Sequence, residues 1–469
     1  GWPAEKVMSV AQGLYTDGLC VLPDEIVVKH DGTICEIQDH DRIINQEILG
    51  CDEFNGFDEF SFRTGDTRVK ATQKIPYSGD MYNIRTIDGQ EISVTPNHKL
   101  LIFRGNELSW QKSDDIKKGD FAICSKGMRG ILRTDRTPHI MEFIEQLPDD
   151  TLDKIQIYFD SQLPVLNILN CNKEKISEPT FYKYKRLNRA PAKWVLAYSA
   201  LPGQSKHYVF SRVSGFQYGG GQVEKFNAET FCYFLGLCLG DGHIAESKMT
   251  FPRCIMPTEK WKTLISSLGK KYDFKSKNSV NVSGPILKRL CEHFGGKEGN
   301  KSADIYIHPY ISSLSRPLIM KFMAGLFDTD GCINIKSRLA VLYTTISQKM
   351  AKQLNVLLRT LGYQSGIHRR NSDHKNCTVK LLRSSAVLFL REISNHLLYK
   401  KEVCLSILDQ IDHGLLQIGK CQTFNFPVVG MLEQLRENMG YTKLHVSESV
   451  FGDRSSYWNF LNTKNEHTR

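Results

Sequence analysis

Short runs in which apolar and polar residues alternate dominate the chain from residue 20 to about residue 130. Glu25–Val28 and Glu91–Val94 are examples, and the pairs Asp31-Gly32 and Asp88-Gly89 interrupt such runs. Alternation with a period of two predicts half-buried strands, and an Asp-Gly pair between two of them predicts a tight turn. We therefore expect residues 20–130 to form an all-β module.

The pattern changes between residues 226 and 410, where helix-like and strand-like segments alternate and one motif occurs twice. Its copies are Phe234–Gly242 and Met323–Gly331, and each ends an apolar helical segment with an Asp-Gly pair. The two terminal aspartates, Asp241 and Asp330, are 89 residues apart. Self-similarity at a fixed spacing indicates an internal duplication.

Both copies have recognisable helix starts, because Asn227 is a favourable N-cap and Ser315 precedes a first turn that contains proline. The predicted helices also carry small residues, namely Gly236 and Gly240 in the first and Ala324 and Gly325 in the second. Small residues let two helices pack backbone to backbone, which would bring Asp241 and Asp330 together. Two converging carboxylates suit Mg²⁺ and the positioning of water for attack on a phosphodiester.

Three further segments have less regular patterns. Residues 1–19 predict a helix that ends near Asp17-Gly18, and residues 411–469 contain helical patches between polar turns. Residues 131–225 are a mixed stretch, and the triple glycine 219–221 near its end has the composition of a linker. Together these segments predict an α+β, multidomain protein.

The composition fits this organisation. The chain has 469 residues, of which 41% are hydrophobic and 24% charged, so several cores can be buried. The formal net charge of +10 suits a polyanionic partner. Since no apolar stretch has the length of a membrane span and the first residues lack a secretory pattern, we expect a cytoplasmic protein without a membrane partner. The 13 cysteines include no CxxC pair, which predicts reduced thiols.

Basic and aromatic residues are interleaved between residues 171 and 225. This stretch has ten Lys or Arg residues against three Asp or Glu residues, and Phe181–Arg186 is the densest part. Such a mixture is typical of nucleic-acid surfaces. The alternative is a solvated helix face whose aromatic residues turn into a core. We treat residues 131–225 as an insertion and a candidate DNA-recognition region.

Cys20, Thr95 and His98 are weak evidence of a reactive site individually. The sequence pattern around them is more specific. A cysteine at the start of a strand is usually structural. Here the segment Thr95–His98 is followed by Trp110 and by the polar run Asp114–Asp120. With this spacing, residues 20–130 resemble the N-terminal splicing half of an intein, which has the Hint fold of self-splicing proteins.

The intein resemblance implies one covalent reaction that needs no cofactor. The Cys20 thiol would attack the carbonyl carbon of Leu19 and convert the amide between them into a thioester. His98 would protonate the leaving amide nitrogen, while Thr95 would hold the amide and the developing oxyanion. The His-Asn pair of the family's C-terminal half does not occur in this sequence. The expectation is N-terminal cleavage without ligation, unless a C-terminal intein fragment acts in cis or in trans.

The duplicated motif resembles that of the LAGLIDADG (DOD-type) homing endonucleases over residues 226–410. A single Asp-Gly pair after a helix is more often a plain turn, but two copies with matching apolar patterns favour a shared site. The resemblance implies two αββαββα repeats, with accessory helical segments, that form a β-saddle. It also implies a monomer that cleaves both strands of a long, asymmetric double-stranded DNA site with Mg²⁺.

The same resemblance assigns roles to individual residues. Four residues would supply oxygen ligands to the metal ion: the carboxylates of Asp241 and Asp330 and the backbone carbonyl groups of Gly240 and Thr329. A catalytic lysine is also expected in each repeat. In the second repeat this is Lys401, with its neighbour Lys400 as the alternative, and in the first repeat only the weak substitute Lys301 is available.

Residues 1–19 resemble the segment of type IA DNA topoisomerases, reverse gyrase included, that leads into the active-site tyrosine. The matching residues are Ser9, Ala11-Gln12, Leu14-Tyr15 and Gly18-Leu19. This resemblance implies an insertion in a topoisomerase, whose intein-free gene would be the DNA target. The alternatives are a LAGLIDADG-scaffold DNA-binding protein without nuclease activity, an autocleaving intein remnant, and a topoisomerase proper.

Overall fold

The computed structural model describes most of the chain between residues 20 and 446. The described residues are 20–49, 66–72, 74–104, 107–123, 131, 133–246, 248–268, 278–299, 302–335, 339–369, 376–413, 436–437 and 440–446. The helix predicted for residues 1–19 and most of the tail predicted for 411–469 lie outside these ranges. Within the tail, the structure shows a short helix at Lys443–Val446.

Antiparallel strands dominate the described residues between 20 and 123. They pair as Ile26–Val28 with Ile34–Glu36, Glu47–Leu49 with Asp66–Arg68, and Tyr82–Arg85 with Glu91–Val94, while Lys99–Arg104 lies between Glu107–Lys112 and Phe121–Ala122. A short helix, His40–Ile43, and a 3-10 turn, Ser113–Asp115, interrupt the strands. Gly32 and Gly89 have φ angles of +85° and +84°, as tight Asp-Gly turns require. The segment is rich in strands, and its assignment as an all-β Hint module stays a prediction.

Residues 133–226 form a small α/β unit. The strand Ile155–Phe159 lies between Arg189–Pro191 and Val213–Tyr218. The helices around this sheet are Ile140–Ile144, Asp149–Leu152, Gln162–Cys171, Glu178–Arg186, Ala192–Ser199 and Lys206–Ser211. The triple glycine predicted as a linker instead makes a tight turn after the third strand, where the Gly221 amide donates to the carbonyl oxygen of Tyr218 at 2.9 Å.

The first copy of the duplicated motif begins with the helix Ala228–Asp241, called here the first central helix. The remaining helices and strands of this copy are His243–Ile244, Met249–Pro252, Thr258–Ser267, Ser279–Val282 and Pro285–His293. Its three described strands form one antiparallel sheet in chain order.

The second copy begins, after the short helix Pro309–Ser312, with the second central helix, Arg316–Asp328. It continues through Gly331–Asn334, Ala340–Thr345, Gln348–Thr360, Ser365–Arg369, Cys377–Leu381 and Arg383–Ile393, and the helix Lys401–Asp412 follows. This order is the αββαββα pattern that the family resemblance implied, whereas the described residues of the first copy show one strand fewer. Its four strands form an antiparallel sheet in which Ser365–Arg369 is an edge strand.

One hydrophobic core connects the α/β unit with both copies of the motif. Apolar residues from Ile34 to Leu408 belong to it, and both central helices lie within it. All described cysteines are free thiols, and six of them are buried, as the reduced-thiol prediction requires. Among the described residues, no helix has both the length and the apolar character needed to cross a membrane.

Candidate active site

The two central helices begin as the sequence predicted but end differently. The Asn227 side chain accepts a hydrogen bond from the Thr230 amide at 2.8 Å, and Ser315 is the N-cap of the second helix. The first helix ends at Asp241, whereas the second ends at Asp328, two residues before Asp330. The expectation that both helices run to their Asp-Gly pair is therefore confirmed only for the first.

Two glycines allow the central helices to approach closely. A Cβ atom added at Gly236 would lie 2.1 Å from the carbonyl oxygen of Phe322, and one added at Gly325 would lie 2.1 Å from that of Tyr233. Both distances are far below van der Waals contact, so the helices touch through their backbones. This close packing brings the C-terminal ends of the helices, and with them Asp241 and Asp330, to one place.

Gly240 has a different constraint. An added Cβ atom would lie 1.9 Å from the hydroxyl oxygen of Thr329, and that hydroxyl donates to the carbonyl oxygen of Leu326 at 2.8 Å. The neighbour at this point is thus a side chain, not the backbone. The small residue at position 240 makes room for the threonine of the opposing helix end.

Asp241 and Asp330 influence each other electrostatically. Loss of water contact and, after it, the charge of Asp241 raise the pKa of Asp330 to about 6, and the positive charge of Lys400 opposes this shift. Loss of water contact also raises the pKa of Asp241, again opposed by Lys400. Asp330 keeps an exposed edge towards solvent. Two carboxylates that disfavour each other's charge form a place where a cation would be stabilised.

At the paired helix ends, the carboxylates of Asp241 and Asp330 are the candidate metal ligands. Among the described residues there is no cluster of three or more His, Cys, Asp or Glu side chains that could hold one. Mg²⁺ commonly keeps several waters and binds through one or two carboxylates plus substrate phosphates. The pair Asp241 and Asp330 fits that mode.

Lys400, not Lys401, is the lysine beside the aspartates. Its ammonium group donates to the carbonyl oxygens of Phe327, Thr329 and Gly331 at 2.8, 2.7 and 2.6 Å. Burial lowers the pKa of Lys400, and the nearby negative charges oppose that shift. Lys401 is the first residue of the following helix. The lysine position predicted from the sequence is therefore displaced by one residue.

The contacts of Lys400 also change the expected ligand set. The carbonyl oxygen of Thr329, which the prediction offered to a metal ion, accepts a hydrogen bond from this ammonium group. A cation beside that oxygen would face a fixed positive charge at hydrogen-bonding distance, so we remove Thr329 from the ligand set. The carbonyl group of Gly240 stays a predicted ligand, and Lys301 lies outside the described residues.

Asp328 was not predicted as a functional residue, yet it holds Lys400 in place. Only 1% of its surface is exposed, and its carboxylate accepts hydrogen bonds from the backbone amides of residues 398–400 at 2.8–3.1 Å. The Tyr233 hydroxyl of the first central helix also donates to it at 2.7 Å. The sequence did contain a signal for Asp328. When the two motifs are aligned, Asp328 of the second motif corresponds to the apolar residue Leu239 of the first.

Tyr343 is the second residue that sequence reasoning missed. It lies in the strand Ala340–Thr345, directly opposite Gly331 in the antiparallel register. It is fully buried, and its hydroxyl oxygen makes no hydrogen bond with the described residues. Burial raises the pKa of Tyr343, and the charges of Asp330 and Asp241 raise it further.

The candidate splicing residues meet at the start of the N-terminal strands. The Cys20 amide donates to the Thr95 hydroxyl oxygen at 2.9 Å, and the Thr95 amide donates to the Cys20 carbonyl oxygen at 3.1 Å. The amide nitrogen of Cys20 belongs to the peptide bond that the predicted reaction would break. Leu19, on the other side of that bond, lies outside the described residues.

His98 lies in the turn that follows Thr95. Its amide donates to the Thr95 carbonyl oxygen at 3.0 Å, and its own carbonyl oxygen accepts from the Ser113 amide and hydroxyl at 2.9 and 2.6 Å. Burial lowers the pKa of the His98 imidazole. Its Nδ1 atom is buried and has no hydrogen-bond partner among the described residues. Hydrogen bonds on both sides of His98 therefore hold this turn in place.

The basic-aromatic segment is divided between surface and core. The helix Glu178–Arg186 has no fully buried residue, and Tyr182 is 58% exposed. Phe181 and Tyr184 pack partly against the core, and the Arg189 guanidinium lies 5.8 Å from the ring centre of Tyr184. The partial packing of Phe181 and Tyr184 agrees with the interpretation as a solvated helix face whose aromatic residues turn into a core, and nucleic-acid binding by this segment stays a prediction.

Comparison with known proteins identifies one domain. Residues 317–396, which include the second motif, match the model of the LAGLIDADG-like domain. Along the chain, 420 residues are 27% identical to a reverse gyrase of Methanocaldococcus jannaschii, covering 87% of this chain and 24% of the relative. The chain spans about a quarter or less of the length of the curated reverse gyrases that it matches.

Solved structures show a likeness over part of the chain. A structure of mesophilic variants of the homing endonuclease I-DmoI covers 40% of this chain and 98% of its own, with 15% identity and a TM-score of 0.30. I-DmoI in complex with DNA and Mn covers 35% of this chain and 96% of its own, with 16% identity and a TM-score of 0.27.

Proposed function

We propose that residues 226–410 form a homing endonuclease that cleaves double-stranded DNA with Mg²⁺. The observation that carries this proposal is the placement of Asp241 and Asp330 at the ends of two helices in direct backbone contact. A bound divalent cation would stabilise charge on a phosphate and lower the pKa of a water molecule. The LAGLIDADG-like match of residues 317–396 supports the same function.

The residues around the aspartates prepare this chemistry. Asp241 and Asp330 would bind the metal ion and orient water towards the phosphodiester. The ammonium group of Lys400 binds three carbonyl oxygens at the end of the second central helix and so would fix the position of Asp330. Its positive charge favours the ionised form of both aspartates. In this role Lys400 positions the site and does not contact the reacting atoms.

The two sheets supply surfaces for reading DNA. Polar or partly exposed residues alternate with buried ones along the strands, as in Thr250 and Asn281 of the first sheet and Thr344, Thr378 and Lys380 of the second. Hydroxyl and amide groups recognise base edges, and lysines contact phosphates. The exposed part of the helix Glu178–Arg186 would extend this surface, so residues 131–225 remain our candidate for additional DNA recognition.

Cleavage of the expected target tests the nuclease proposal. The purified full chain is incubated with Mg²⁺ and a plasmid that carries an intein-free reverse gyrase gene. The wild-type protein should linearise it, Asp241→Asn and Asp330→Asn should abolish cleavage while retaining DNA binding, and Asp304→Asn, at an exposed position, serves as the matched control. DNA binding without any cut by the wild type would favour the alternative, a LAGLIDADG-scaffold DNA-binding protein without nuclease activity.

We also propose that Cys20 begins an autocatalytic N–S acyl shift. The observation that favours it is the hydrogen bond from the Cys20 amide to Thr95, which fixes the orientation of the peptide bond to be broken. The thiol gives its proton to water, and its sulfur bonds to the Leu19 carbonyl carbon. The bond from that carbon to the Cys20 nitrogen breaks, and the nitrogen takes a proton from His98, which regains one from water. The net change moves one proton from sulfur to nitrogen. A thioester and a free amino group result, and no cofactor is needed.

A thiol reagent distinguishes this reaction from ordinary hydrolysis. Dithiothreitol should release the peptide 1–19 from the wild-type chain, and Cys20→Ala should release none. Cys254→Ala, which removes another exposed cysteine, is the matched control and should behave as the wild type. Mass spectrometry that finds the wild-type chain intact after treatment would contradict the splicing proposal.

The host and cellular setting follow from these two proposals. Similarity to reverse gyrase over 87% of this chain supports an insertion within a topoisomerase, with residues 1–19 as host sequence. The protein would then act as a monomer in the cytoplasm on the intein-free gene. A C-terminal intein fragment, in cis or in trans, would be the partner needed for ligation.

A further inference from the structure

The duplicated halves of the candidate active site differ in one buried strand position. In the second copy, Tyr343 lies opposite Gly331, the glycine that follows Asp330. In the first copy the strand register, extended by one pair beyond His243 and Thr250, places Phe251 opposite Gly242. Both aromatic residues are fully buried. The two positions therefore correspond, and the hydroxyl group of Tyr343 is the difference between them.

The buried hydroxyl group of Tyr343 should lower the stability of the protein without bound metal or DNA. A buried donor without a partner loses the hydrogen bond that water gave it in the unfolded chain. Tyr343 is fully buried and unpartnered among the described residues, and a phenylalanine fills the same space in the first copy. Packing alone therefore does not account for the oxygen atom of Tyr343.

We infer that the Tyr343 hydroxyl group donates a hydrogen bond to a phosphate oxygen or water molecule held between Asp330 and Asp241. The inference rests on the nuclease proposed above. Because burial and the two carboxylates raise the pKa of Tyr343, the phenol keeps its proton and acts as a donor. Since the hydroxyl exists in only one half of the site, Tyr343 is a positioning residue for one of the two DNA strands.

Strand-resolved cleavage by Tyr343→Phe tests this inference. Each strand of the target carries a different end label, and the two cleavage rates are measured separately. We expect one strand to be cut about tenfold to a hundredfold more slowly, the range for removing one hydrogen bond to a charged group, so that nicked plasmid accumulates. Equal slowing of both strands, or no slowing, would overturn the inference.

Stability measurements separate this role from a structural one. Without metal and DNA, Tyr343→Phe should melt at the wild-type temperature or above it, because an unpaired buried hydroxyl group is removed. The added stabilisation by Mn²⁺ and uncleaved DNA analogue should be smaller than in the wild type. A lower melting temperature of the unliganded variant would assign the hydroxyl group to the fold and refute the inference.

The matched control is Tyr363→Phe. The Tyr363 hydroxyl is also buried but has partners, since it donates to Glu392 and accepts from Arg316 at 3.0 Å. This variant should melt at a lower temperature and leave the ratio of the two strand rates unchanged. If the wild type cuts neither strand, the nuclease proposal is refuted. If the wild type cuts and Tyr343→Phe leaves the ratio of the two strand cleavage rates unaltered, only the present inference is refuted.

Discussion

Replacing Gly325 with alanine should destabilise the protein, although the same change in an ordinary helix stabilises it. Glycine to alanine within a helix gains about 1 kcal/mol from helix propensity. Here the new Cβ atom would lie 2.1 Å from the Tyr233 carbonyl oxygen and 2.8 Å from the Leu237 amide nitrogen. To reach ordinary contact at 3.4 Å, the helices would have to separate by about 1 Å.

The magnitude follows from two opposing contributions. Overpacking of a core costs about 1–3 kcal/mol and occasionally more, and a clash with backbone on a helix that cannot rotate away belongs at the upper end. After the propensity gain of about 1 kcal/mol, we expect a net loss of about 2 kcal/mol in the free energy of unfolding. Separation of the helix ends should also lower DNA cleavage, because Asp241 and Asp330 move apart.

Urea unfolding followed by circular dichroism measures the stability, and Gly240→Ala is the matched control. At position 240 the clash is with the Thr329 side chain, so the additional change Thr329→Gly should restore stability there. No side-chain replacement should rescue Gly325→Ala, since the opposing atoms are backbone. A Gly325→Ala variant that is as stable as the wild type, or more stable, would refute direct backbone contact between the central helices.

Three further predictions follow. Because the folded-state pKa of Asp330 is raised to about 6, the contribution of Asp330 to the stability of the metal-free protein should fall as the pH rises from about 4 to about 6, and Asp330→Asn should remove that contribution from the pH dependence of the melting curves. Lys400→Met should lower the free energy of unfolding in urea by about 2 kcal/mol or more, since three hydrogen bonds from one charged group are lost. Lys401→Met should change it by no more than about 0.5 kcal/mol. Similar losses in the two variants would contradict the assignment of Lys400. Thr95→Val should slow thiol-induced release of residues 1–19, measured by mass spectrometry, because the Cys20 amide loses its acceptor; an unchanged rate would remove Thr95 from the reaction.

The sequence predicted the parts of the fold that depend on local pattern. Asn227 and Ser315 begin the central helices as expected, and the Asp-Gly turn at Gly89 has the required positive φ angle. Helix caps and tight turns are determined by a few neighbouring residues, which a sequence displays directly. The repeat spacing of Asp241 and Asp330 likewise indicated that two equivalent helix ends should meet.

The rest of the site depends on contacts between distant segments. Lys400 reaches the end of the second central helix because Asp328 binds the preceding backbone, and neither residue reveals the other along the chain. Strand alternation marks Tyr343 as buried, but it does not show where the hydroxyl group points. The triple glycine was misread as a linker because glycine composition does not distinguish a flexible segment from a tight turn.

The contact between the N-terminal strands and the second repeat bears on whether the two proposed activities can be separated. The Ile367 amide, in the edge strand of the four-stranded sheet, donates to the Gly89 carbonyl oxygen at 2.9 Å, and the Arg369 guanidinium pairs with Glu91 at 2.7 and 2.8 Å. A Cβ atom at Gly366 would lie 1.6 Å from the Asp88 carbonyl oxygen. The turn at residues 86–90 therefore covers a sheet edge that would otherwise present unpaired backbone groups.

This covering explains why the proposed nuclease should not be isolated by deleting the strands before it. Removal of residues 20–123 would expose the edge strand Ser365–Arg369 and leave Arg369 without its carboxylate partner, and exposed edges invite pairing between chains. Point substitutions at Cys20 and Asp330 avoid this problem, because each alters one candidate site and leaves the sheet edge covered. The two proposed reactions are chemically independent, but the strands proposed for splicing also complete the sheet proposed for DNA binding.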